Sequence, residues 1–499
     1  MLSRSFIPPS SKKDLLAYSP MMHARLFAAT PKFRANHFLP VRTPLETQEP
    51  SSDSAYLDGN PAIDRPLFVQ FCANDPKELL EAAKYVAPYC DAVDLNLGCP
   101  QGIARKGNYG AFLQEDQGCI ERMIGLLHRE LDVPVTAKIR ILESREKTLE
   151  YAKRVVGAGA SIITVHGRTR DMKGHKTGLA DWGVLKWLRE QLGREVVMFA
   201  NGNVLQHGDL KDCLRETGVD GVMSAEGNLY DPAIFAEPPP VGEEGREYWR
   251  GKDGQGGWRA DAVFRRYMDI LYTHVLETPP PKRQPLYLPS DPEPPAMNRS
   301  SENVNGKREL ESEDGPAAKK QKKEKREKTS NPNLIAMQAH LFHLLRTLVA
   351  RHHNVRDALA RSRAGDIAAF ENVLQLTEAV TKEGLKEYEA TDGKSWEEEM
   401  RRDERLKEKE GEEESSTEAV RRCKRPWWVV QAYVRPLPVE ALKKGSWALS
   451  KKDKARLEAE EVERRKTEKE GLDGKVGSEV VGDGSKETVE VPKEGMVCG

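Results

Sequence analysis

The chain has 499 residues, of which 38% are hydrophobic and 31% are charged, so we expect two folded parts together with long solvated segments. The formal net charge of -1 excludes a uniformly basic protein, and any contact with nucleic acid must come from local basic windows. No run approaches the roughly 18 consecutive apolar residues that a membrane-spanning helix needs, so we expect no membrane partner.

The seven cysteines are scattered and form no CxxC pair. This spacing argues against a disulfide framework and a structural zinc site, and it favours a reducing compartment. We therefore expect a cytoplasmic or nuclear protein, or one present in both compartments, that carries no metal.

From residue 14 onward, short apolar runs alternate with helical patterns, which predicts a parallel sheet with helices on its faces. A GxGxxG motif does not follow the first run, which weighs against a dinucleotide-binding doubly wound sheet. The apolar runs are at 15–18, 67–72, 92–97, 133–139, 161–165, 196–200 and 218–223, and the helical patterns are at 76–87, 118–131, 148–157, 182–192 and 210–217.

Six successive runs each end on a polar or glycine-rich group. In a (β/α)8 barrel these ends converge on the face where such enzymes work, so we predict a barrel over residues 1–237. Any one of the groups could be an ordinary loop residue, but six in register are hard to explain as accident. They are Gln70, Cys99, Lys138, His166 to Arg168, Asn201 to Asn203 and Ala225 to Gly227.

Cys99 stands just past an apolar run, in the turn Gly98-Cys99-Pro100. The plain alternative is a small buried residue in a tight loop. The segment 101–110 that follows contains Arg105 and Lys106, and we interpret it as a mobile basic segment suited to an anionic substrate.

The turns at 201–203 and 225–227 predict an anion cradle, because their backbone N–H groups are unhindered and lie where barrels commonly bind phosphate. Burying the charge of Lys138 inside a barrel mouth would cost free energy without a negatively charged partner, and a flavin ring is such a partner. The alternative for Lys138 is a buried ion pair with Asp94 or another carboxylate.

Beyond the barrel we predict a helical domain in two pieces, at 245–278 and 331–390, interrupted by a disordered insertion at 279–330. A charged linker at 391–424, an ordered Trp/Pro patch at 425–438 and a disordered tail at 439–499 follow. Residues 334–364 contain five arginines and four histidines but only one acidic residue, a composition that favours a phosphate backbone as partner. Arg346, Arg351 and Arg356 are therefore candidate contacts.

These residues together resemble the tRNA-dihydrouridine synthase family. The resemblance covers about 2–235, the helical domain and the Trp/Pro patch, and it implies an FMN barrel followed by a helical tRNA-binding domain, with NADPH or NADH as reductant. The motifs that carry it are SPMMHA at 19–24, VQFCAND at 69–75, DLNLGCPQ at 94–101, AKIR at 137–140, HGRT at 166–169, ANGN at 200–203 and MSAEG at 223–227.

The resemblance also implies roles for single residues. Cys99 is expected to be the general acid that protonates C5 of a D-loop uridine after hydride reaches C6. The residues expected to contact FMN are Gln70, Lys138 and His166 at the ring and ribityl chain, and Asn201, Gly202, Asn203, Ala225 and Glu226 at the phosphate. The residues expected at the tRNA rim are Arg105, Lys106, Arg168 and Arg170.

The chain departs from the family pattern at its start, where residues 1–6 resemble the end of the helix that follows the family's first strand. We count seven strand candidates, so we expect a chain that retains little FMN unless an upstream segment supplies that strand. The alternatives are a flavin-poor, catalytically weak tRNA-binding protein and an FMN oxidoreductase for a small molecule. We also expect a monomer, and the basic groups at 307–308 and 319–323 resemble a two-part nuclear import signal.

Overall fold

The computed structural model describes residues 1–42, 55–292, 329, 331–406, 415–443 and 445. The segment 307–323, predicted to be a nuclear import signal, lies outside the described residues. Most of the predicted insertion at 279–330 and of the predicted tail at 439–499 lies outside them as well, so these expectations stay predictions.

The first half of the chain forms a parallel sheet surrounded by helices, which confirms the predicted fold class and fits a TIM barrel. Its strands are β1 (Ala17–Tyr18), β2 (Met22–His23), β3 (Leu67–Cys72), β4 (Ala92–Asn96), β5 (Val135–Arg140), β6 (Ile162–His166), β7 (Val197–Asn201) and β8 (Gly221–Met223). β1 and β2 both pair with β3, and the order then runs from β3 to β8 in sequence. The described residues thus supply seven strand positions, with β1 and β8 as the outer strands.

The central strands appear in the sequence as continuous apolar runs because both of their faces are covered. All residues of β3 and β4 are buried, including the polar Gln70, Asp94 and Asn96. Buried polar groups need hydrogen-bond partners, so these three residues indicate a candidate functional site at this part of the sheet.

Side-chain caps start the major helices on the outside of the sheet. Asp75 accepts from the backbone N–H of Lys77 and Glu78 at the start of α3, and Ser144 accepts from that of Lys147 at the start of α6. The short helices α1, α2 and α4 were not predicted. The barrel helices are α1 (Ala24–Ala29), α2 (Pro31–His37), α3 (Pro76–Val86), α4 (Gly102–Lys106), α5 (Gln117–Glu130), α6 (Arg145–Gly157), α7 (Trp182–Leu192), α8 (His207–Thr217) and α9 (Glu226–Tyr230).

A hairpin and a helical domain follow the barrel. The hairpin strands are β9 (Tyr248–Arg250) and β10 (Gly256–Trp258), and the helices are α10 (Ala260–Ile270), α11 (Pro332–Leu344), α12 (Arg346–Arg351), α13 (His353–Arg361), α14 (Ile367–Ala390), α15 (Lys394–Arg402), α16 (Thr417–Cys423) and α17 (Pro438–Lys443). Leu334, Met337, Leu341 and Leu344 of α11 and Leu348 of α12 are buried, and residues 427–430 of the Trp/Pro patch join the same core. None of the helices in the described ranges combines the length and hydropathy needed to cross a membrane.

Two segments differ from the sequence prediction. Residues 279–292, assigned to the disordered insertion, pack on the helices: Leu286 is buried, and Arg283 pairs with Asp269 and Glu371. The predicted charged linker contains α15 and α16. Both segments lack the apolar periodicity of a core helix, and they combine a few buried side chains, such as Leu286 and Val420, with ion pairs such as Lys424–Asp403.

Candidate active site

The carboxyl ends of the strands bring the predicted polar groups to one edge of the sheet. The register pairs are Gln70 with Asp94, Asn96 with Lys138, Arg140 with His166, and His166 with Asn201. Because all of these strands run in the same direction, Gln70, Lys138, His166 and Asn201 lie at or near the carboxyl ends of neighbouring strands, at one edge of the sheet. The geometry thus assembles one candidate site from residues that are far apart in the sequence.

Cys99 lies in a turn that neighbouring side chains hold in place. Asn96 Oδ1 accepts hydrogen bonds from the backbone N–H of Gly98 at 3.0 Å and of Cys99 at 2.9 Å. Arg140 Nε donates to the carbonyl oxygen of Gly98 at 2.7 Å. Cys99 is 3% exposed, so its thiol is a positioned group inside the site.

The segment after Cys99, which was predicted to be mobile, forms regular turns. It contains α4 and a 3-10 turn at Gly110–Glu115, and the N–H of Ala111 donates to the Cys99 carbonyl at 3.0 Å. Gly110 has φ 64°, and a Cβ at this position would lie 2.8 Å from the same carbonyl oxygen. The close approach of the two backbones therefore requires a glycine.

A buried hydrogen-bond network lies beside this turn. Gln70 Nε2 donates to Asp94 Oδ2 at 2.8 Å, and Gln70 Oε1 accepts from Asn96 Nδ2 at 2.8 Å. Thr136 Oγ1 donates to Asp94 Oδ1 at 2.6 Å. These bonds fix which end of the Gln70 amide is the donor, and they link that amide through Asn96 to the Cys99 turn.

Lys138 lies opposite Asn96 on the neighbouring strand and is only partly buried. Burial raises the pKa of Asp94 to about 6, against the hydrogen bonds from Thr136 and Gln70 and the positive charge of Lys138. Lys138 therefore acts on Asp94 electrostatically. Both interpretations of this lysine, as a partner for Asp94 and as a partner for an anionic ligand, are compatible with its position.

His166 is held in one protonation state. Arg168 Nη1 lies 3.0 Å from His166 Nε2, and because an arginine can only donate, Nε2 is the acceptor and Nδ1 carries the proton. Burial, with the positive charges of Lys138, Arg140 and Arg168, lowers the pKa of His166 well below its ordinary value. Within the described residues, the buried Nδ1 has no hydrogen-bond partner. The site thus contains a neutral imidazole with an unsatisfied donor, surrounded by cations.

The turn after β7 forms a tight glycine cradle. Gly202 has φ 111°, and a Cβ there would lie 2.6 Å from Ala180 Cβ and 3.1 Å from His166 Cδ2. Asn203 has φ 62°, and its side chain bonds both the N–H and the carbonyl oxygen of Ala180. Asn201 Nδ2 donates to the carbonyl oxygen of Met223 at 3.0 Å. The two asparagine side chains therefore shape the cradle and connect it to β8.

Ala225 and Glu226 follow β8 at the start of α9 and complete this end of the site. The Glu226 carboxylate is paired with Arg435, from a segment more than 200 residues further along the chain. Arg435 belongs to the predicted Trp/Pro patch, and its local sequence does not indicate this pairing.

The four residues predicted at the rim do not share one environment. Arg105 and Lys106 are exposed on α4, and Arg170 pairs with Glu115 and lies over the ring of Phe112 at 5.3 Å. Arg168 lies deeper, bound to His166 and Asn203, so it belongs to the interior of the site. A cavity of about 480 Å³ opens at the outer edge, lined by Arg105, Asn108, Phe112, Glu115, Arg170 and Asp171.

The three predicted arginines of the helical domain are also differently placed. Arg346 lies 3.8 Å from the ring centroid of Tyr433 and 5.7 Å from that of Tyr230, which belongs to α9 of the barrel. Arg351 pairs with Glu399, and Arg356 with the adjacent Asp357. Arg346 therefore stands where the two domains meet, whereas the pairs of the other two lie within the helical domain.

Sequence reasoning gave no role in the site to Asn96, Thr136 and Arg140, although they hold Cys99 and Asp94. A usable signal exists: Asp94 and Asn96 are two residues apart in an apolar strand, so both point to the same face. No group of three or more potential metal-ligating side chains occurs in the described part of the chain.

Comparison with known proteins shows the family to which this chain belongs. Residues 7–247 match the family described as Dihydrouridine synthase (Dus). The tRNA-dihydrouridine(16/17) synthase of Schizosaccharomyces pombe is 38% identical over 86% of this chain and 84% of its own length. The protein of the same name from Saccharomyces cerevisiae is 54% identical over 44% of this chain and 48% of its length. A similarly named mouse protein is 46% identical over 47% of this chain and 45% of its length.

Proposed function

Since this chain belongs to the dihydrouridine synthase family, we propose that it is an oxidoreductase that forms dihydrouridine in tRNA by reducing the C5–C6 double bond of D-loop uridines. The names of the relatives include NAD(P)(+), which supports NADPH or NADH as the reductant. A flavin is the general cofactor of such chemistry, and our finer proposal is FMN.

The observation that carries this proposal is the buried Nδ1–H of His166, which has no hydrogen-bond partner among the described residues and lies within the field of three cations. A buried donor without an acceptor is costly, and an acceptor atom of a bound ligand would satisfy it. The positive charges of Lys138, Arg140 and Arg168 favour an anionic ligand, and Gly202 allows the turn at 201–203 a backbone conformation, with φ 111°, that residues with side chains rarely adopt. The residues present therefore fit FMN.

In this proposal Gln70, Lys138 and His166 would hold the flavin ring and ribityl chain, and the backbone N–H groups of residues 201–203 and 225–226 would hold the phosphate. A reduced flavin bound there would supply the hydride for C6 of uracil. Cys99 donates a proton to C5, and its turn is fixed by Asn96 and Arg140 so that the thiol meets the base in one orientation. After the transfer the thiolate must regain a proton before the next cycle.

The exposed Arg105 and Lys106 and the partly buried Arg170 are proposed to bind the tRNA backbone. Arg105, Lys106 and Arg170 would contact phosphates close to the target uridine, which must leave the stack to reach Cys99. Arg346, Arg351 and Arg356 would extend the contact over the helical domain.

The direct test is to purify the full chain, record its flavin absorbance, and incubate it with an unmodified tRNA transcript, FMN and NADPH. We expect dihydrouridine in the D-loop, detected by mass spectrometry of nuclease fragments. A protein that binds tRNA but yields no dihydrouridine with added FMN would instead be the flavin-poor tRNA-binding protein. A monomeric state and a cytoplasmic or nuclear location remain parts of the proposal that sedimentation and a fluorescent fusion would check.

Replacing Lys138 with alanine should weaken FMN binding about tenfold, because it removes a cation from the proposed flavin pocket. The measurement is the quenching of flavin fluorescence on titration of the apoprotein. Lys186→Ala, on the exposed face of α7, is the matched control and should change nothing. Unchanged affinity in Lys138→Ala would favour the interpretation that this lysine serves Asp94.

Replacing Arg346, Arg351 and Arg356 with alanine together should weaken tRNA binding and reduce its dependence on salt. Each lost phosphate contact lowers the slope of log K against log salt by roughly one. The control removes three exposed arginines of the barrel helices, Arg129, Arg154 and Arg215. Equal slopes for the two triple variants would show that the helical arginines do not contact phosphate.

A further inference from the structure

A C-terminal segment, residues 425–443, connects the helical domain to the mouth of the barrel, and we name it the strap. Its first part is buried in the helical core, where Trp428 contacts Trp249 and Tyr388. Its last part, α17, lies against the loop after β6, where Pro438 approaches Gly178. Between these anchors the strap passes α9, the helix that follows β8.

At this crossing the strap places an arginine on the acidic residue of the proposed phosphate end. Arg435 Nε donates to Glu226 Oε1 at 2.8 Å and to Oε2 at 3.0 Å, and Nη2 lies 2.7 Å from Oε1. Contacts to both carboxylate oxygens make this a fork-like pair with defined geometry. Both side chains are only partly exposed, at 47% for Arg435 and 27% for Glu226.

Glu226 stands where an acid is unfavourable. Asn201, at the end of β7, lies opposite Met223, at the end of β8. Glu226 comes three residues after Met223, so it lies close to the glycine cradle at 201–203. A free carboxylate there would repel a phosphate dianion. The paired guanidinium cancels this charge.

The pair also belongs electrostatically to the interior of the site. Burial lowers the pKa of Arg168 to about 10, while the charge of Glu226 raises it and that of Arg435 lowers it. Arg168 in turn donates to Asn203 Oδ1 at 2.8 Å and contacts His166. The strap arginine is thus near enough to act on the residues that form the cradle.

We propose that Arg435 is a positioning residue for the flavin phosphate, which acts by neutralising Glu226 and so makes the strap part of the cofactor site. This inference rests on the proposed function, in which 201–203 and 225–226 bind the phosphate of FMN. Arg435 is proposed to affect only the binding of the phosphate monoester of FMN. Removing the strap cation therefore affects FMN and leaves riboflavin, which has no phosphate, unaffected.

The first experiment titrates full-length apoprotein with FMN and with riboflavin, following flavin fluorescence. Arg435→Ala should lose about tenfold in affinity for FMN and keep its affinity for riboflavin. The loss should shrink in high salt, because the pair is partly exposed. Arg421→Ala, which breaks a 3.0 Å pair with Glu418 in α16, is the matched control and should bind both ligands as the unmodified chain does.

The second experiment adds Glu226→Gln to Arg435→Ala. If Arg435 acts through Glu226, the double variant recovers FMN affinity, because the repelling charge has gone. Failure to recover, or an unchanged FMN affinity in Arg435→Ala, would overturn the inference. If the unmodified chain does not prefer FMN to riboflavin, the proposed phosphate end is itself wrong, and this outcome is distinct from a failure of Arg435 alone.

Discussion

Replacing Cys99 with alanine is expected to lower the rate of dihydrouridine formation by about 10²- to 10⁴-fold, the usual contribution of a positioned general acid. FMN binding should stay intact, because the turn is held through the backbone N–H and carbonyl groups of residues 98 and 99, which alanine retains. The measurement is single-turnover oxidation of the reduced enzyme by tRNA, together with flavin fluorescence.

Two further variants separate acid catalysis from packing. Cys99→Ser keeps a group of similar size but with a much weaker acid, so it should be nearly as slow as alanine. Cys119→Ala removes another buried thiol, whose Sγ lies 3.4 Å from the Asn74 carbonyl oxygen, and it should retain full activity. A Cys99→Ala enzyme that turns over at the normal rate would contradict the assignment of the proton donor.

The strands of the barrel were predictable because a covered parallel sheet leaves a simple trace in the sequence. β3 was predicted at 67–72 and is found at Leu67–Cys72, and the ends of the other predicted runs lie within three residues of the observed strand ends. The short β2 (Met22–His23) was not predicted. The short helices α1 and α4 left no such trace, since each is too short to show a periodic apolar face.

The placement of site residues was partly predictable for the same reason. Strand ends converge in a barrel, so Gln70, Lys138 and His166 had to lie at one edge. The depth of each residue was not predictable. Arg168 was expected at the rim and lies inside, because its partners His166 and Asn203 come from two different strand ends.

Contacts between distant segments could not be predicted from the local sequence pattern. Arg435 meets Glu226 across 209 positions of sequence, and nothing in the local composition of the strap indicates that pairing. The Trp/Pro patch was predicted to be ordered from its aromatic content, but its function as a bridge between domains depends on where both ends dock.

The remaining large effect is expected at Gly202, where alanine should lower FMN affinity by at least about 100-fold. A residue with a side chain at φ 111° is strained, and its Cβ would also lie 2.6 Å from Ala180 Cβ. Left-handed strain costs about 1–2 kcal/mol and overpacking about 1–3 kcal/mol. Relief of this strain requires the cradle to move away from His166, which changes the surface offered to the phosphate.

The control for backbone strain is Gly242→Ala, at φ 89° in a loop where nothing lies within 4 Å of the added Cβ. This variant should lose only the free energy of backbone strain, measured as a small drop in the melting temperature of the apoprotein. Its FMN affinity should not change. Gly202→Ala should show both a larger drop in melting temperature and weak FMN binding. If Gly202→Ala melts lower but binds FMN normally, the turn at 201–203 is a structural bend and the phosphate must be sought elsewhere.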